Sequence, residues 1–309
     1  MKKYLFPLFV MALLAVGFSS CKPDEEIYNP VCKISKIWYL SDVGAPNEVY
    51  VYNEKTKDLE KIIVDSVYSY DFTYNKDHSV AKIVHVDKDY TETIVFENTD
   101  RLVDKMTYTI DGDVRLEYTV HRIDDKKSKA YRRIDYIEAM YDEEFYDAYF
   151  WKSGRKEHPL YDRFIGNYDE IAGVCANSGS KALTKLYSVM RFTYEPGKNK
   201  KYENISQYVE EFPIKQTVIT HNYQYDLTAY NPFYGLTFAY AGMAGYYKNL
   251  VAYEHSEKVV AGNLSEVTDI TYSFDGVHDM NGKHYPRHIV TRSSATGNIP
   301  RNTYILYKK

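Results

Sequence analysis

The sequence is dominated by short segments in which polar and apolar residues alternate, separated by turn residues. The first two are 33–40 and 48–53, with a break at 44–47. Alternation with a period of two predicts half-buried β-strands, because successive side chains of a strand point to opposite faces of a sheet. The same pattern predicts strands at 65–74, 80–86, 91–96, 104–110, 114–120, 187–194, 215–220, 267–274, 288–292 and 303–307.

Aromatic residues recur at the ends of these predicted strands, just before polar turns. Phe72-Thr73-Tyr74 and Phe192-Thr193-Tyr194 are the clearest pair of a weak internal repeat. The chain holds 34 tyrosines, and tyrosine suits a pleated, half-buried surface because its hydroxyl tolerates water. Early spacing of about 24 residues that becomes irregular later predicts a meander of hairpins rather than a solenoid.

Two regions depart from this alternation. Residues 138–151 are acidic and aromatic, and 161–189 carry Ala, Leu and Gly without a period of two, which favours short helices or an irregular excursion. Residues 226–236 predict a turn leading into a short helix, with Asn231 as its cap. We therefore predict an all-β, mainly antiparallel meander, a curved sheet or partly closed soluble barrel with short helices in the middle and near 231–245.

The amino terminus predicts a targeting segment. Lys2 and Lys3 precede an apolar run at 4–17, so residues 1–20 are typical of a signal peptide. The segment resembles a bacterial lipoprotein signal, in which processing leaves Cys21 as the lipidated first residue. Phe18 and Ser20 occupy the positions of the usual lipobox leucine and small residue, as in the looser signals of Bacteroidota.

A linker follows the predicted lipidation site. Residues 21–30 are charged and punctuated by proline, which predicts a tether that buries little apolar surface. The acidic run 24–26 also resembles the signal that sends some Bacteroidota lipoproteins to the outer face of the outer membrane; an ordinary solvated linker is the alternative. We predict a lipoprotein of the cell envelope in the outer membrane, with exposure on the cell surface left open.

Several of these features together resemble one known family. The lipoprotein-type start, the aromatic hairpin repeats, and the segments 225–233 and 248–251 are similar to a Bacteroidota lipoprotein family of unknown function described as having a porin-like fold. The resemblance covers the chain from about Val31 and implies one porin-like β domain at 31–309. It implies no activity and no site residues, because the family has none assigned.

A porin-like fold does not require a membrane-spanning barrel. Such barrels need a continuous apolar band facing the lipid, whereas charged residues such as Arg115 and Glu117 appear within the predicted strands. The formal net charge of −4 also disfavours a nucleic-acid partner, since phosphate contacts need a basic face. Cys32 and Cys175 specify no disulfide framework, and whether they pair is left open.

Candidate catalytic and metal residues do not form a recognisable motif. The densest histidine patch, at His278, His284 and His288 beside Asp279, does not match zinc-ligand spacing. The acidic residues at 142–144 with Asp147 are more typical of a solvated segment than of a glycosidase pair. We predict no catalytic residue, no metal and no cofactor.

Two aromatic clusters are the candidate binding residues, although packing in the core explains the same residues more simply. They are Tyr146, Tyr149 and Trp151, and Tyr230, Phe233 and Tyr234. We predict a non-enzymatic envelope protein that meets the membrane through its anchor and presents a surface to a glycan or an envelope protein. The alternatives are a glycan-acting hydrolase whose carboxylates assemble only in the fold, and a structural accessory to an outer-membrane uptake complex.

Overall fold

A computed structural model defines the fold. It describes residues 32–99, 101–122, 134–145, 158–165, 185–195, 204–234, 248–280 and 282–308. The predicted signal peptide at 1–20 and tether at 21–30 lie outside these residues.

Sixteen antiparallel strands, all within the described residues, close into one barrel. Each strand pairs with its neighbour in sequence, and β16 returns to pair with β1, where Ile37 lies opposite Ile305. The strands are β1 (Ile34–Trp38), β2 (Glu48–Tyr52), β3 (Leu59–Val64), β4 (Tyr68–Tyr74), β5 (Val80–Val86), β6 (Thr91–Thr99), β7 (Leu102–Ile110), β8 (Asp113–Arg122), β9 (Ile134–Asp142), β10 (Lys185–Tyr194), β11 (Ile205–Phe212), β12 (Thr217–Tyr230), β13 (Asn249–Val260), β14 (Asn263–Met280), β15 (Lys283–Ser293) and β16 (Arg301–Tyr307). A helix, α1 (Pro159–Phe164), and a 3₁₀ turn (Ser294–Thr296) complete the described elements.

The apolar face of the strands points into the barrel. In β6, Glu92, Ile94 and Phe96 are buried, whereas Val95 and Glu97 between and after them are exposed. The same alternation runs through most of the strands, because each residue step along a strand turns the side chain to the other face. The core is therefore the lumen itself, filled by Tyr, Phe, Ile, Leu and Met side chains.

The outer face carries ion pairs between neighbouring strands. Lys61 contacts Asp71 at 2.8 Å, Lys105 contacts Glu117 at 2.7 Å, and Arg115 reaches Asp142 at 2.7 Å. No helix among the described residues is long and apolar enough to cross a membrane.

The up-and-down topology gives the barrel two ends. We call the end at which β1 begins, at Ile34, the amino end; odd-numbered strands start there and even-numbered strands finish there. The opposite end, reached by β1 at Trp38, is the far end. The chain leaves the far end after β9 and re-enters the barrel wall there at Lys185, so α1 belongs to a far-end excursion.

The aromatic repeat has a structural role at the amino end. Tyr74 closes β4 and donates its hydroxyl to the carbonyl of Leu59, the first residue of β3, at 2.7 Å. The hydroxyl of Tyr194 on β10 likewise reaches the carbonyl of Ile134, the first residue of β9, at 3.3 Å. Tyr225 on β12 makes the corresponding bond to Ile205 on β11 at 2.5 Å. Tyr74 and Tyr194 thus tie the end of one strand to the start of the strand before it, and Tyr225 does so from within β12.

The predicted fold class is confirmed, but the sheet closes completely rather than partly. The helix expected in the middle is α1. The segment 226–230 is predicted as a turn. It is instead the end of β12, because the pairing of β12 with β13 extends to Tyr230, which lies opposite Asn249. Residues 232–234 form a turn, and the remainder of the helix predicted near 231–245 lies outside the described residues. Asn231 does cap this turn, since its Oδ1 accepts the amide of Phe233 at 3.0 Å.

The strands differ from the predicted ones in three places. β3, β11 and β13 were not predicted, because their polar and apolar residues do not alternate regularly. β9 replaces the start of the irregular region expected from 138. The strand predicted at 65–74 begins only at Tyr68, since Asp65 and Ser66 adopt positive φ values of 47° and 57° and form the β3–β4 turn.

Candidate functional site

Helix α1 lies inside the barrel. Its Leu160, Tyr161 and Phe164 are buried. Phe164 meets the rings of the inward-facing Tyr70 and Phe72 on β4 edge to face, with centroids 5.3 and 5.9 Å apart. The hydroxyl of Tyr70 also donates to the carbonyl of Pro159 at 2.9 Å, which fixes the first turn of the helix against the wall.

Glu48 on β2 is the centre of one polar network around α1. Its side chain is buried, and Oε2 accepts from Nη2 of Arg163 at 3.0 Å and from the hydroxyl of Tyr50 at 2.6 Å, while Oε1 accepts from Tyr39. Burial opposes the charge on Arg163, yet the adjacent Glu48 carboxylate and the neighbouring phenols raise the pKa of Arg163 well above its usual value. The network therefore holds a paired charge at the wall of the lumen.

Glu92 on β6 is the centre of a second network and grips the start of the helix. Its Oε2 accepts the amide of Leu160 at 3.1 Å, and its Oε1 accepts the amide of Tyr161 at 3.3 Å and the hydroxyl of Tyr108 at 2.6 Å. Burial raises the pKa of Glu92 to about 7, although these three hydrogen bonds act in the opposite sense. The side chain of His158 lies 3.8 Å away.

Glu210 on β11 is the centre of a third network on another part of the wall. It is fully buried and accepts the hydroxyls of Tyr141 at 2.8 Å, Ser188 at 2.6 Å and Tyr208 at 2.8 Å. Each donor comes from a different strand, β9, β10 or β11. Buried carboxylates are tolerated only when such partners satisfy them.

The three networks share one chemistry. In each, phenol hydroxyls donate to a buried carboxylate, and burial raises the pKa of phenols such as Tyr50 so that they stay protonated donors. The carboxylate oxygens of Glu48, Glu92 and Glu210 already accept hydrogen bonds from within the fold. This arrangement fixes α1 and the wall in place.

Of the two predicted aromatic clusters, the structure describes Tyr230, Phe233 and Tyr234. Tyr230 ends β12 at the amino end, where its ring packs 5.7 Å from that of Tyr285 and lies under Lys283, whose Nζ is 5.1 Å from the ring centroid. Phe233 and Tyr234 follow in the adjacent turn, and Phe233 packs against the core. Tyr146, Tyr149, Trp151 and the predicted lipidation site Cys21 lie outside the described residues.

The histidine patch at 278–288 does not converge. His284 pairs with Asp279 at 2.8 Å, whereas His288 bonds Asp275 at 3.1 Å and Asn302 at 3.0 Å. His278 stacks on Tyr307, with ring centroids 4.8 Å apart. The part of the chain that the structure describes contains no group of three or more potential metal ligands. Asp142 and Glu143, from the acidic segment, pair separately with Arg115 and Lys215.

The luminal carboxylates were missed by the sequence analysis, although the alternation contains a signal for them. Glu92 lies in phase with Ile94 and Phe96, and Glu210 lies in phase with Tyr208 and Phe212. A charged residue in the apolar phase of a strand predicts a buried polar network. Arg163 gives no such signal, because it lies on a short helix outside the alternating segments.

The chain resembles several solved structures at low identity. A porin-like protein from Bacteroides vulgatus ATCC 8482 superposes with a TM-score of 0.44 and 11% identity, covering 90% of this chain and 99% of that one. The TcdB2-TccC3 crystal structure superposes with a TM-score of 0.33 and 13% identity, over 87% of this chain and 13% of that one. The Photorhabdus luminescens Tc holotoxin pore gives 0.31 and 12%, over 84% and 12% of the two chains. No family model and no curated protein matches the sequence. The assignment of a closed barrel rests on the strand pairings.

Proposed function

We propose that this protein is a lipid-anchored barrel of the cell envelope that acts as a non-catalytic binding or presentation module. The observation that carries the proposal is the packing of α1 in the lumen, where Arg163 pairs with Glu48 and the first amides of the helix bond Glu92. A lumen filled by packed side chains and a helix suits a rigid scaffold. A scaffold of this kind presents its outer surfaces to a partner.

The charged residues of the outer face support a barrel whose outer wall is exposed to water. Ion pairs such as Lys61 with Asp71 and Lys105 with Glu117 cross between strands where a membrane barrel would meet lipid. We therefore propose that attachment comes from a lipid on Cys21 and the tether at 21–30, as in the Bacteroidota lipoprotein family with a porin-like fold. The outer membrane is the proposed location.

The topology would orient such a barrel. The tether joins the fold at the amino end, so the far end would point away from the membrane. The excursion between Asp142 and Lys185 starts and finishes at this far end, and its sequence contains the candidate binding residues Tyr146, Tyr149 and Trp151. We propose a glycan or an envelope protein as the partner, because rigid aromatic side chains offer large contact area at low entropic cost.

Membrane attachment is tested by comparing wild type with Cys21→Ser. Wild type is expected in the membrane fraction with incorporated fatty acid, and Cys21→Ser in the soluble fraction without it. Cys175→Ser is the matched control, since it removes another thiol and should leave acylation unchanged. A Cys21→Ser chain that stays in the membrane and resists extraction at high salt would show that the barrel itself inserts, and the proposal would be wrong.

Binding is tested with the unlipidated Cys21→Ser chain on a glycan array and in a pull-down from envelope extracts. Retention of a defined glycan or envelope protein that is lost in Tyr146→Ala/Trp151→Ala, but kept in the exposed control Leu227→Ala, supports the proposal. Turnover of a bound glycan would instead establish the hydrolase alternative.

A further inference from the structure

Several lysines gather at the amino end of the barrel. Lys33 and Lys308 both place Nζ over the ring of Tyr52, 4.9 and 5.4 Å from its centroid. The Nζ of Lys33 also donates to the carbonyl of Lys57. We call Lys33, Lys57 and Lys308 the lysine cluster.

The lysine cluster differs from the lysines of the outer wall in its charge environment. Among the described residues, no carboxylate lies within ion-pair distance of these three ammonium groups, in contrast to Lys61 and Lys105 on the outer wall. Desolvation lowers the pKa of Lys33, and the charges of Lys308 and Lys57 add to this effect. Asp58 is the carboxylate that acts in the opposite sense, and its Oδ2 is already bonded to His78 at 2.8 Å. The ammonium groups of Lys33 and Lys308 thus meet over one ring, and Nζ of Lys57 donates to the carbonyl of Glu54 in the β2–β3 turn. Like charges gathered at one end of the barrel favour an anion in front of them.

The position of the cluster indicates which anion it meets. Lys33 directly precedes β1, Lys308 directly follows β16, and Lys57 lies in the β2–β3 turn, so all three lie where the chain enters the barrel. Lys283 over Tyr230 adds a second lysine–tyrosine pair at the same end. Tyrosine and lysine are the residues that proteins place at the level of lipid headgroups.

We propose that the lysine cluster docks the amino end of the barrel onto an anionic phospholipid surface. This inference rests on the proposed anchoring, because the twelve residues that follow Cys21, up to Lys33, span at most about 40 Å when extended. The tether thus keeps the cluster within reach of the headgroups, where each lysine gains from the negative surface potential. Docking would point the far end away from the membrane and would restrict the rotation of the barrel on its tether.

The test uses the unlipidated Cys21→Ser chain and vesicles of phosphatidylcholine with and without phosphatidylglycerol, at low salt. We expect binding to the anionic vesicles and not to the neutral ones. Replacing Lys33, Lys57 and Lys308 by Gln is expected to weaken partitioning roughly 10- to 100-fold. The matched control replaces Lys82, Lys88 and Lys185, which are exposed on the wall and at the far end, and should bind like the parent.

Three results would overturn the inference: no binding to anionic vesicles, equal losses in both triple variants, or displacement by inorganic phosphate well beyond that by chloride at equal ionic strength. The last would mean a site for the free ion. Circular dichroism confirms folding of each variant, and a Lys→Arg version of the cluster should keep binding. Because the assay uses no lipid anchor, its failure leaves the acylation of Cys21 untouched, and failure of acylation leaves this assay valid.

Discussion

Arg163 on α1 donates from Nη2 to Oε2 of Glu48 on β2 at 3.0 Å, although 115 positions separate them in the chain. The bond joins the helix in the lumen to a strand formed near the start of the barrel. Glu48 keeps 3% of its side-chain surface exposed and Arg163 keeps 26%. The Glu48 carboxylate is therefore buried as one half of an ion pair, and Arg163 is the partner that makes its burial possible.

Removing the arginine should destabilise the barrel. Arg163→Met leaves Glu48 buried with phenol donors alone, and we expect a loss of about 3 kcal/mol in the free energy of unfolding, measured by urea titration. The control Arg191→Met breaks an exposed pair with Glu211 at 3.9 Å and should cost less than about 1 kcal/mol. Equal losses in the two variants would show that the luminal pair has no special weight.

Glu92 should make stability depend on pH. Its pKa is raised from 4.5 to about 7 in the folded protein, so the fold holds this proton more tightly than the unfolded chain does. The stability from this group is complete below pH 4.5 and falls as the pH rises to about 7, by about 3 kcal/mol. Glu92→Gln should flatten this decline in urea titrations between these two pH values.

The control for this prediction is Glu97→Gln, because Glu97 is exposed on the same strand. It should keep the slope of the parent. A Glu92→Gln variant whose stability still falls with pH as steeply as that of wild type would contradict the assignment of the slope to Glu92.

The tyrosine bonds at the amino end should each contribute to stability. Tyr74→Phe removes the 2.7 Å hydrogen bond to the carbonyl of Leu59 and keeps the ring, so we expect a loss of about 1 kcal/mol. Tyr304→Phe is the control, since the structure gives the Tyr304 ring a stacking contact with His288 at 4.2 Å. The unfolding midpoint of Tyr304→Phe should change little. A similar decrease in the midpoints of both variants would mean that loss of any tyrosine hydroxyl destabilises the protein, and that the bond to Leu59 has no specific role.

Cys32 should be unreactive in the folded protein. It is a buried free thiol, and burial raises its pKa to about 12, so little thiolate is present at neutral pH. In a Cys21→Ser/Cys175→Ser background, we expect Ellman's reagent to leave the native protein unlabelled and to label it fully in denaturant. Rapid labelling without denaturant would mean that the amino end opens readily.

Much of the barrel follows from local patterns. The alternation in 91–96 predicts β6, and the Phe-Thr-Tyr repeats mark the ends of β4 and β10, because a period of two is a property of the strand itself. β3 and β11 were missed because their residues break the period of two. In β3, Glu60 and Lys61 are followed by the apolar run 62–64, and in β11 the inward Glu210 occupies an apolar position. Their pairing with neighbours overrides the weak local signal.

The candidate binding residues illustrate the limit of sequence proximity. Tyr230 and Phe233 are grouped by sequence and lie at the amino end, whereas the segment after Asp142 leaves from the far end. The direction of each strand, which the sequence does not show, decides at which end of the barrel a residue lies.

The sequence by itself determined that this chain forms an antiparallel meander of tyrosine-rich hairpins, because strand periodicity and turn residues act over a few positions. Only the tertiary structure decided that the meander closes, that β16 meets β1, and that α1 enters the lumen to pair Arg163 with Glu48. Those contacts join residues more than a hundred positions apart. Such residues become neighbours only when the barrel closes. Closure also excludes water from the lumen, and a carboxylate buried there needs hydrogen-bond partners from the protein.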